Sequence, residues 1–260
     1  VKFGGEALRD AVRRARYFSH FRKPRTAVQA IAELTKDVHL IERAFGLSHP
    51  RRPFGEQVAQ RISGYLADFG AEIPPALRQR ATTALAARDA WNSAGTSPAR
   101  TGRTTPTTPL ELLESRSSVR NFGPSAPSPS ELAAILATAH HAPSVSDTQA
   151  WRVREFWSTQ EQKPLLDLQD GNVGIDVIPV LLMVSVDIRS FAGTHERNQM
   201  WIDGGIFLQQ LLLAVEAHGW FGVPMNLSLT NSQARKIRAV SDVPPWEELI
   251  ALVAIGRPVT

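Results

Sequence analysis

The chain has 260 residues, 43% of them hydrophobic and 21% charged, with no cysteine and a formal net charge of +4. That length suits one large domain or a domain with an appendage, and the lack of cysteine excludes disulfides, thiolate nucleophiles and zinc–thiolate sites. The charge is divided: residues 1–103 carry 18 Lys and Arg against 9 Asp and Glu, and residues 104–260 carry 11 against 16.

The front arginines are spread through helical patterns and form no single tract with interleaved aromatics, so nucleic acid is not the expected partner. In residues 26–45, Val28, Ile31, Leu34, Val38, Ile41 and Phe45 recur at intervals of three and four, which predicts a helix with one apolar stripe. A second helix is expected over 56–69, carrying Val58, Ile62, Leu66 and Phe69. A third is expected from Pro75, a residue suited to a first helical turn, to Trp91. Residues 1–92 therefore read as a helical region. Residues 93–109, SAGTSPARTGRTTPTTP, are almost all Ser, Thr, Gly, Pro and Ala and read as an exposed linker. Residues 110–260 then read as a domain of interleaved strands and helices.

Within that domain, SPSELAAILATAHHAP opens with Ser128, Pro129 and Glu131, a capping box with proline at the first helical position. The helix is expected to run until Pro143 stops it. VREFW (153–157) predicts a strand. IPVLLMVSVD (178–187) and LIALVAIG (249–256) predict strands apolar on both sides, central to a sheet covered by helices. The first of these is far too short to span a membrane, and the expected location is cytoplasmic. WIDGGIFLQQLLLAVEAHG (201–219) predicts a helix apolar almost all round, which must be buried in a core or a subunit interface. Asn231 is expected to cap a short helix that ends before Pro244 and Pro245. No glycine-rich phosphate loop follows any strand.

Three segments are candidates for chemistry. ESRSSVRNFG (114–123) sets Arg116 and Arg120 around Ser117 and Ser118. Guanidinium forks and hydroxyls suit phosphate oxygens, and a solvated loop is the competing reading. HHAPSVSDTQAW (140–151) places Asp147, Thr148 and Gln149 where they could read the edge of a heteroaromatic ring. Its adjacent histidines diverge on a helix and make a poor metal pair, and no metal site is expected. GWFGVPMNLS (219–228) has Gly219 at a helix end and Gly222 with Pro224 in a tight passage, where a backbone amide could meet a ligand.

In this order and spacing, RSSVRNF, HAPSVSDTQAW, the 201–225 stretch and LVAIGRP resemble the motifs of the FMN-dependent nitroreductase-like superfamily over about residues 110–260. VHLIERAFGLSHPRRPFG (38–55), GNVGIDVIP and MNLS are similar to a subgroup with an N-terminal helical extension, often encoded among polysaccharide-biosynthesis functions. The resemblance implies an α+β fold, a three-layer α-β-α sandwich with a mixed sheet, preceded here by the all-helical region. It implies a homodimer with FMN at the interface and NAD(P)H as reductant of a flavin-dependent oxidoreductase acting on an electron-poor or conjugated small molecule. In the family's pattern, Arg116, Ser117 and Ser118 meet the FMN phosphate and ribityl end, and Arg120 lies near the pyrimidine edge. Asp147 and Gln149 approach the isoalloxazine, and Pro224, Met225 and Asn226 fall where a backbone amide faces flavin N5. No acid or base is marked; Asp147, His141 and His195 are the catalytic candidates.

The sequence also departs from the family. Asp147 replaces the usual Asn, giving an acceptor-only group when ionised. Ala150 replaces a Pro and Leu227 the subgroup's Trp, and basic residues that close the phosphate grip after the last strand have no counterpart. These departures keep a second function class open: a flavin-holding or cofactor-free scaffold that binds a partner without turnover.

Overall fold

The computed structural model describes residues 4–5, 7–8, 10–12, 24, 26–47, 49–98, 106–192 and 194–259. The chain divides into two units, Val1–Thr101 and Gly102–Thr260. Of the connector expected over 93–109, residues 99–105 lie outside the described residues. Ser93 and Ala94 continue a helix, and Pro109 opens the next.

The first unit holds α1 (Ala27–Phe45), α2 (Glu56–Phe69) and α3 (Pro75–Ala94), with Pro75 in the first turn as expected. Thr26 caps α1 by accepting from the Gln29 N–H. Leu34, Val38 and Ile41 pack with Ile62, Ala81 and Ala84. Val28 does not join them and is 77% exposed. At about 100° per residue it lies about 120° around the helix from Leu34. The stripe instead widens toward Glu33 and Asp37, both buried. Asp37 accepts two parallel bonds from Arg61, at 2.6 and 2.8 Å, which offset its removal from water.

The second unit contains α4 (Pro109–Ser115), α5 (Pro129–Ala139), β1 (Trp151–Phe156), α6 (Thr159–Leu166), β2 (Val180–Asp187), α7 (Gln199–Ala217), β3 (Phe221–Asn226), α8 (Asn231–Ser241) and β4 (Glu247–Gly256). The strands form one sheet in the order β1-β2-β4-β3, and each of its three pairings is antiparallel. The two strands expected to be central are central. Every residue of β2 is buried, because both faces of the sheet are covered. Val180, Leu182, Val184 and Val186 pack beneath α5 and α7, and Leu181 and Met183 beneath α6 and α8. The period-two alternation of a strand thus feeds two cores, and the layers are helix, sheet, helix.

Three local expectations change. α5 ends at Ala139, four residues before Pro143: the N–H groups of His141 and Ala142 bond back three residues, to Thr138 and Ala139, and close the helix in a tighter turn. Thr230, not Asn231, caps α8, because Thr230 has Gln233 three residues on and the two make a reciprocal capping box. α7 is buried on one side only. Phe207, Leu211, Leu212 and Val215 face the sheet, while Trp201, Ile202 and Ile206 stay exposed on this chain, at 48%, 52% and 37%. Gly204 lets α7 approach the sheet closely, since a Cβ there would stand 2.5 Å from Ile250 Cδ1.

Candidate functional site

The segment after α4 is laid against the sheet edge by backbone bonds. Val119 N–H donates to the Gly222 carbonyl, Gly123 N–H to the Arg257 carbonyl, and Val259 N–H to the Asn121 carbonyl. Val119 and Phe122 sink into the core beneath, which fixes the register of the residues between. Arg116, Ser118 and Arg120 are left half-buried, and Ser117 is exposed. Ser117 N–H donates to the carboxylate of Glu216, a buried residue in the last turn of α7, at 3.2 Å. The Ser117 amide is thus engaged. The Arg116 guanidinium makes no hydrogen bond or ion pair with any described residue.

β3 is an edge strand and follows directly from the C-terminus of α7, where Gly219 takes φ of 77°, a left-handed helix end that glycine adopts without a Cβ clash. The Gly222 carbonyl turns away from β4 toward Val119. In an antiparallel ladder the N–H and C=O of one residue point the same way and alternate along the strand. Pro224 and Asn226 therefore face outward with Gly222, and Met225 faces β4. The Asn226 carbonyl does so visibly, accepting from Gln169 Nε2 at 3.0 Å. Proline has no N–H, so of Pro224, Met225 and Asn226 only Asn226 presents a backbone amide to the open edge.

The 140–151 loop has its own anchors. Trp151 stacks on Phe207 with ring centroids 4.7 Å apart, and its indole N–H donates to His140 Nδ1 at 2.9 Å, which makes that nitrogen the acceptor of the ring. Between these anchors Ser146, Asp147 and Gln149 hold φ of 47°, 55° and 46°. Left-handed backbone at non-glycine residues costs about 1 kcal/mol or more each, and Asp shares with Asn the side chain that tolerates it best. Gln149 Nε2 donates to Asp147 Oδ1 at 3.2 Å. Asp203 of α7, 1% exposed, braces the loop from below: its carboxyl accepts from the Val145 N–H at 3.2 Å and from Gln199 Nε2 at 2.8 Å.

The loop leads into a charged network at the sheet end. Asp187 N–H donates to the Ala150 carbonyl, and the Arg189 guanidinium beside Asp187 holds its carboxyl below the usual range, against the opposing effect of burial. Glu247 accepts two bonds from Arg154 and one from Ser185. Burial pushes the Glu247 carboxyl up, but these partners and the nearby arginines leave it below its ordinary value.

The fold thus brings residues 116–120 together with the outer edge of β3, and it sets residues 145–149 elsewhere. Glu216 and Asp203, which hold the two segments, stand thirteen residues apart on α7, about 20 Å at the ~1.5 Å rise of a helix. His141 and His195 are both exposed, in the turn after α5 and in the loop before α7. Neither shares a hydrogen bond with Asp147 among the described residues. Asp203 and Glu216 have no place among the sequence candidates; the only signal for them is that each is an acid on an otherwise apolar helix. Among the described residues no group of three His, Asp or Glu could hold a metal ion, and no helix is long and apolar enough to cross a membrane.

The nitroreductase family model matches residues 113–170, from the end of α4 through the loop, β1 and α6. The same architecture recurs in solved structures. A nitroreductase family protein from Clostridium novyi superposes with a TM-score of 0.52 at 17% identity, over 58% of this chain and 84% of its own. The second unit has a nitroreductase-like fold. An FMN-dependent nitroreductase from Clostridium difficile gives a TM-score of 0.50 at 17% identity, over 57% of this chain and 87% of its own. By sequence, an NADH dehydrogenase of Thermus thermophilus is 26% identical over 155 residues, covering 48% of this chain and 74% of the relative.

Proposed function

We propose that this protein is an FMN-dependent oxidoreductase that takes hydride from NAD(P)H and passes it to an electron-poor or conjugated small molecule. The observation that carries this reading is the seating of residues 116–122 against β3 in a nitroreductase-like unit. It sets the half-buried Arg116 and Arg120 on the same sheet edge as the outward amide of Asn226. Those residues fit the cofactor. Arg116, with the hydroxyls of Ser117 and Ser118, would hold the phosphate and ribityl end, and Arg120 the pyrimidine side. The Asn226 N–H, in the stretch Pro224–Asn226, would donate to the ring. Bound flavin supplies the hydride chemistry, and the protein supplies orientation and electrostatics. The Asp147 carboxyl, propped by Gln149, would accept a hydrogen bond from a ring N–H. His141 and His195 have no assigned proton to move.

The braces of the two segments, Glu216 and Asp203, stand about 20 Å apart along α7, and that separation argues for two copies. One chain offers its arginines and its 145–149 loop at opposite ends of α7. In a homodimer, with the exposed Ile202 and Ile206 in its interface, the loop of one copy would complete the site around the arginines of the other. The division into helical region 1–92, linker 93–109 and catalytic domain 110–260 belongs to the same proposal. So does a cytoplasmic location, where NAD(P)H is at hand. The narrower kinship with the helically extended subgroup rests on the sequence of residues 38–55, 171–179 and 225–228 alone.

The test is the absorption spectrum of the purified protein, before and after incubation with FMN and gel filtration, followed by anaerobic NADH or NADPH. A retained flavin spectrum that bleaches on adding the nucleotide is the expected result. A colourless protein that takes up no FMN would return the second unit to a scaffold.

A further inference from the structure

A cavity of about 500 Å³ lies in the second unit, walled by Trp201 of α7, α8, the segment that follows β3, and Pro245 with the start of β4. Its size is within the roughly 300–1,000 Å³ of small-molecule sites. Trp201, Leu227 and Leu229 form apolar walls, Arg235, Arg238 and Glu248 are the charged lining residues, and Asn231, Ala234, Pro245 and Leu249 complete it. Arg235 and Arg238 are three residues apart on α8 and so share a face of that helix.

Of the two, Arg238 is incompletely satisfied, and Arg235 is exposed. Arg238 donates once, from a terminal nitrogen to the Glu247 carbonyl at 2.8 Å. The Glu248 carboxyl stands 3.7 Å from that nitrogen, an ion contact too long for a hydrogen bond. Arg238 Nε is buried with no acceptor, a condition that costs a donor about 1–3 kcal/mol. Arg235 makes no hydrogen bond or ion pair with a described residue. Burial pushes the Glu248 carboxyl up, with Arg238 opposing. Two guanidinium groups therefore face one carboxyl, and the lining carries an excess of positive charge beside flat and branched apolar surface.

That combination selects among ligand chemistries. A cation would meet two like charges. A neutral hydrocarbon would leave the guanidinium donors as they are. Inorganic phosphate would suit two arginines, but it has nothing to cover Trp201 and the leucines and would place extra charge near Glu248. A carboxylate on a planar apolar body satisfies both halves of the lining, because a carboxylate accepts from guanidinium in charge-assisted bonds and a ring covers an indole or leucine wall. We propose that this cavity binds a small aromatic carboxylate, with its carboxylate at Arg235 and Arg238 and its ring against Trp201, Leu227 and Leu229. None of its ten lining residues is among those assigned to FMN, although Leu227 directly follows Asn226.

Isothermal titration of the full-length protein with benzoate, and with benzyl alcohol as a neutral probe of similar shape, tests it. Benzoate should bind saturably at about one site per chain and at least about tenfold more tightly than benzyl alcohol, a difference of about 1.4 kcal/mol. Arg235→Gln, at an exposed position on α8, should lower benzoate affinity about fivefold or more and leave benzyl alcohol unchanged. Arg238→Gln should do the same, and if that variant unfolds, Arg235→Gln decides alone. Trp201→Ala should weaken both probes. Saturating FMN should leave the benzoate affinity unchanged. Equal affinity for the two probes, no saturation up to about 10 mM, indifference to Arg235→Gln, or competition by FMN would each overturn the assignment. The flavin spectrum is a separate readout, so failure here and failure of the flavin reading can be told apart.

Discussion

Asp203→Ala is the substitution that most directly probes how the fold holds its candidate site. The carboxyl is buried and serves two donors, the Val145 N–H at 3.2 Å and Gln199 Nε2 at 2.8 Å. Removing it leaves both without an acceptor. A deprived buried donor costs about 1–3 kcal/mol; Gln199, in the first turn of α7, can turn toward water and belongs at the low end. Against this, the freed loop can relax the left-handed backbone at Ser146, Asp147 and Gln149, which returns about 1 kcal/mol or more. The net expectation is a loss of about 1–3 kcal/mol. Asp203→Asn keeps an oxygen for the Val145 N–H and, with its amide turned, a donor for the Gln199 oxygen, so it should cost about 1 kcal/mol or less. Five of the six tryptophans lie in the second unit, so tryptophan fluorescence in a urea titration follows its unfolding. The midpoint should fall for Ala with little change in slope, and hydrogen exchange at the Val145 amide should speed up. If Ala lies within about 0.5 kcal/mol of the native protein, or Asn is as damaging as Ala, Asp203 is not the brace described here.

Three further outcomes can be checked. Arg116→Ala should leave the thermal midpoint nearly unchanged but abolish most of the preference for FMN over riboflavin, which lacks the phosphate; one charged contact is worth about 2–5 kcal/mol when desolvated and much less at a wet rim. An equal preference in both proteins would make residues 114–123 a solvated loop. Light scattering should give a mass about twice 28.6 kDa, and Ile202→Glu with Ile206→Glu should halve it, since burying two unpaired charges in an interface is costly; a native mass of one chain refutes the shared site. Glu247 and Asp187 both titrate below their ordinary values, so their contribution to stability is complete above about pH 4, the unfolded carboxyl range, and is lost as pH falls through the lower folded values. Arg154→Met should therefore cost about 2–4 kcal/mol at pH 7, where it strands a buried carboxylate. The gap to the native protein should narrow at about pH 3.5, and a gap independent of pH would show that Arg154 acts by packing.

The amino-acid sequence by itself determined the elements whose signals are local. α2 starts and ends where its stripe predicts, Pro75 opens α3, and Ser128 with Glu131 closes the capping box of α5, because caps and periodicity act within a turn or two of the chain. The apolar runs of β2 and β4 carried their central positions, since only a strand covered on both faces can be apolar in both parities. The arginines and serines of RSSVR were legible as a candidate for the same reason: their chemistry is written in the side chains. What depends on partners distant in sequence was decided by the tertiary structure alone. Val28 fits the helical period yet faces water, because the neighbours of α1 lie about 120° away around the helix. The helix 201–219 reads as apolar all round, and its two acids look incidental. Only the packed chain shows that Asp203 and Glu216 each reach the backbone of a separate segment, 58 and 99 residues away. The displayed amide of Asn226 was likewise decided by pairing, because the alternation of an edge strand is set once its neighbour β4 and residue Val119 have taken the bonds on either side.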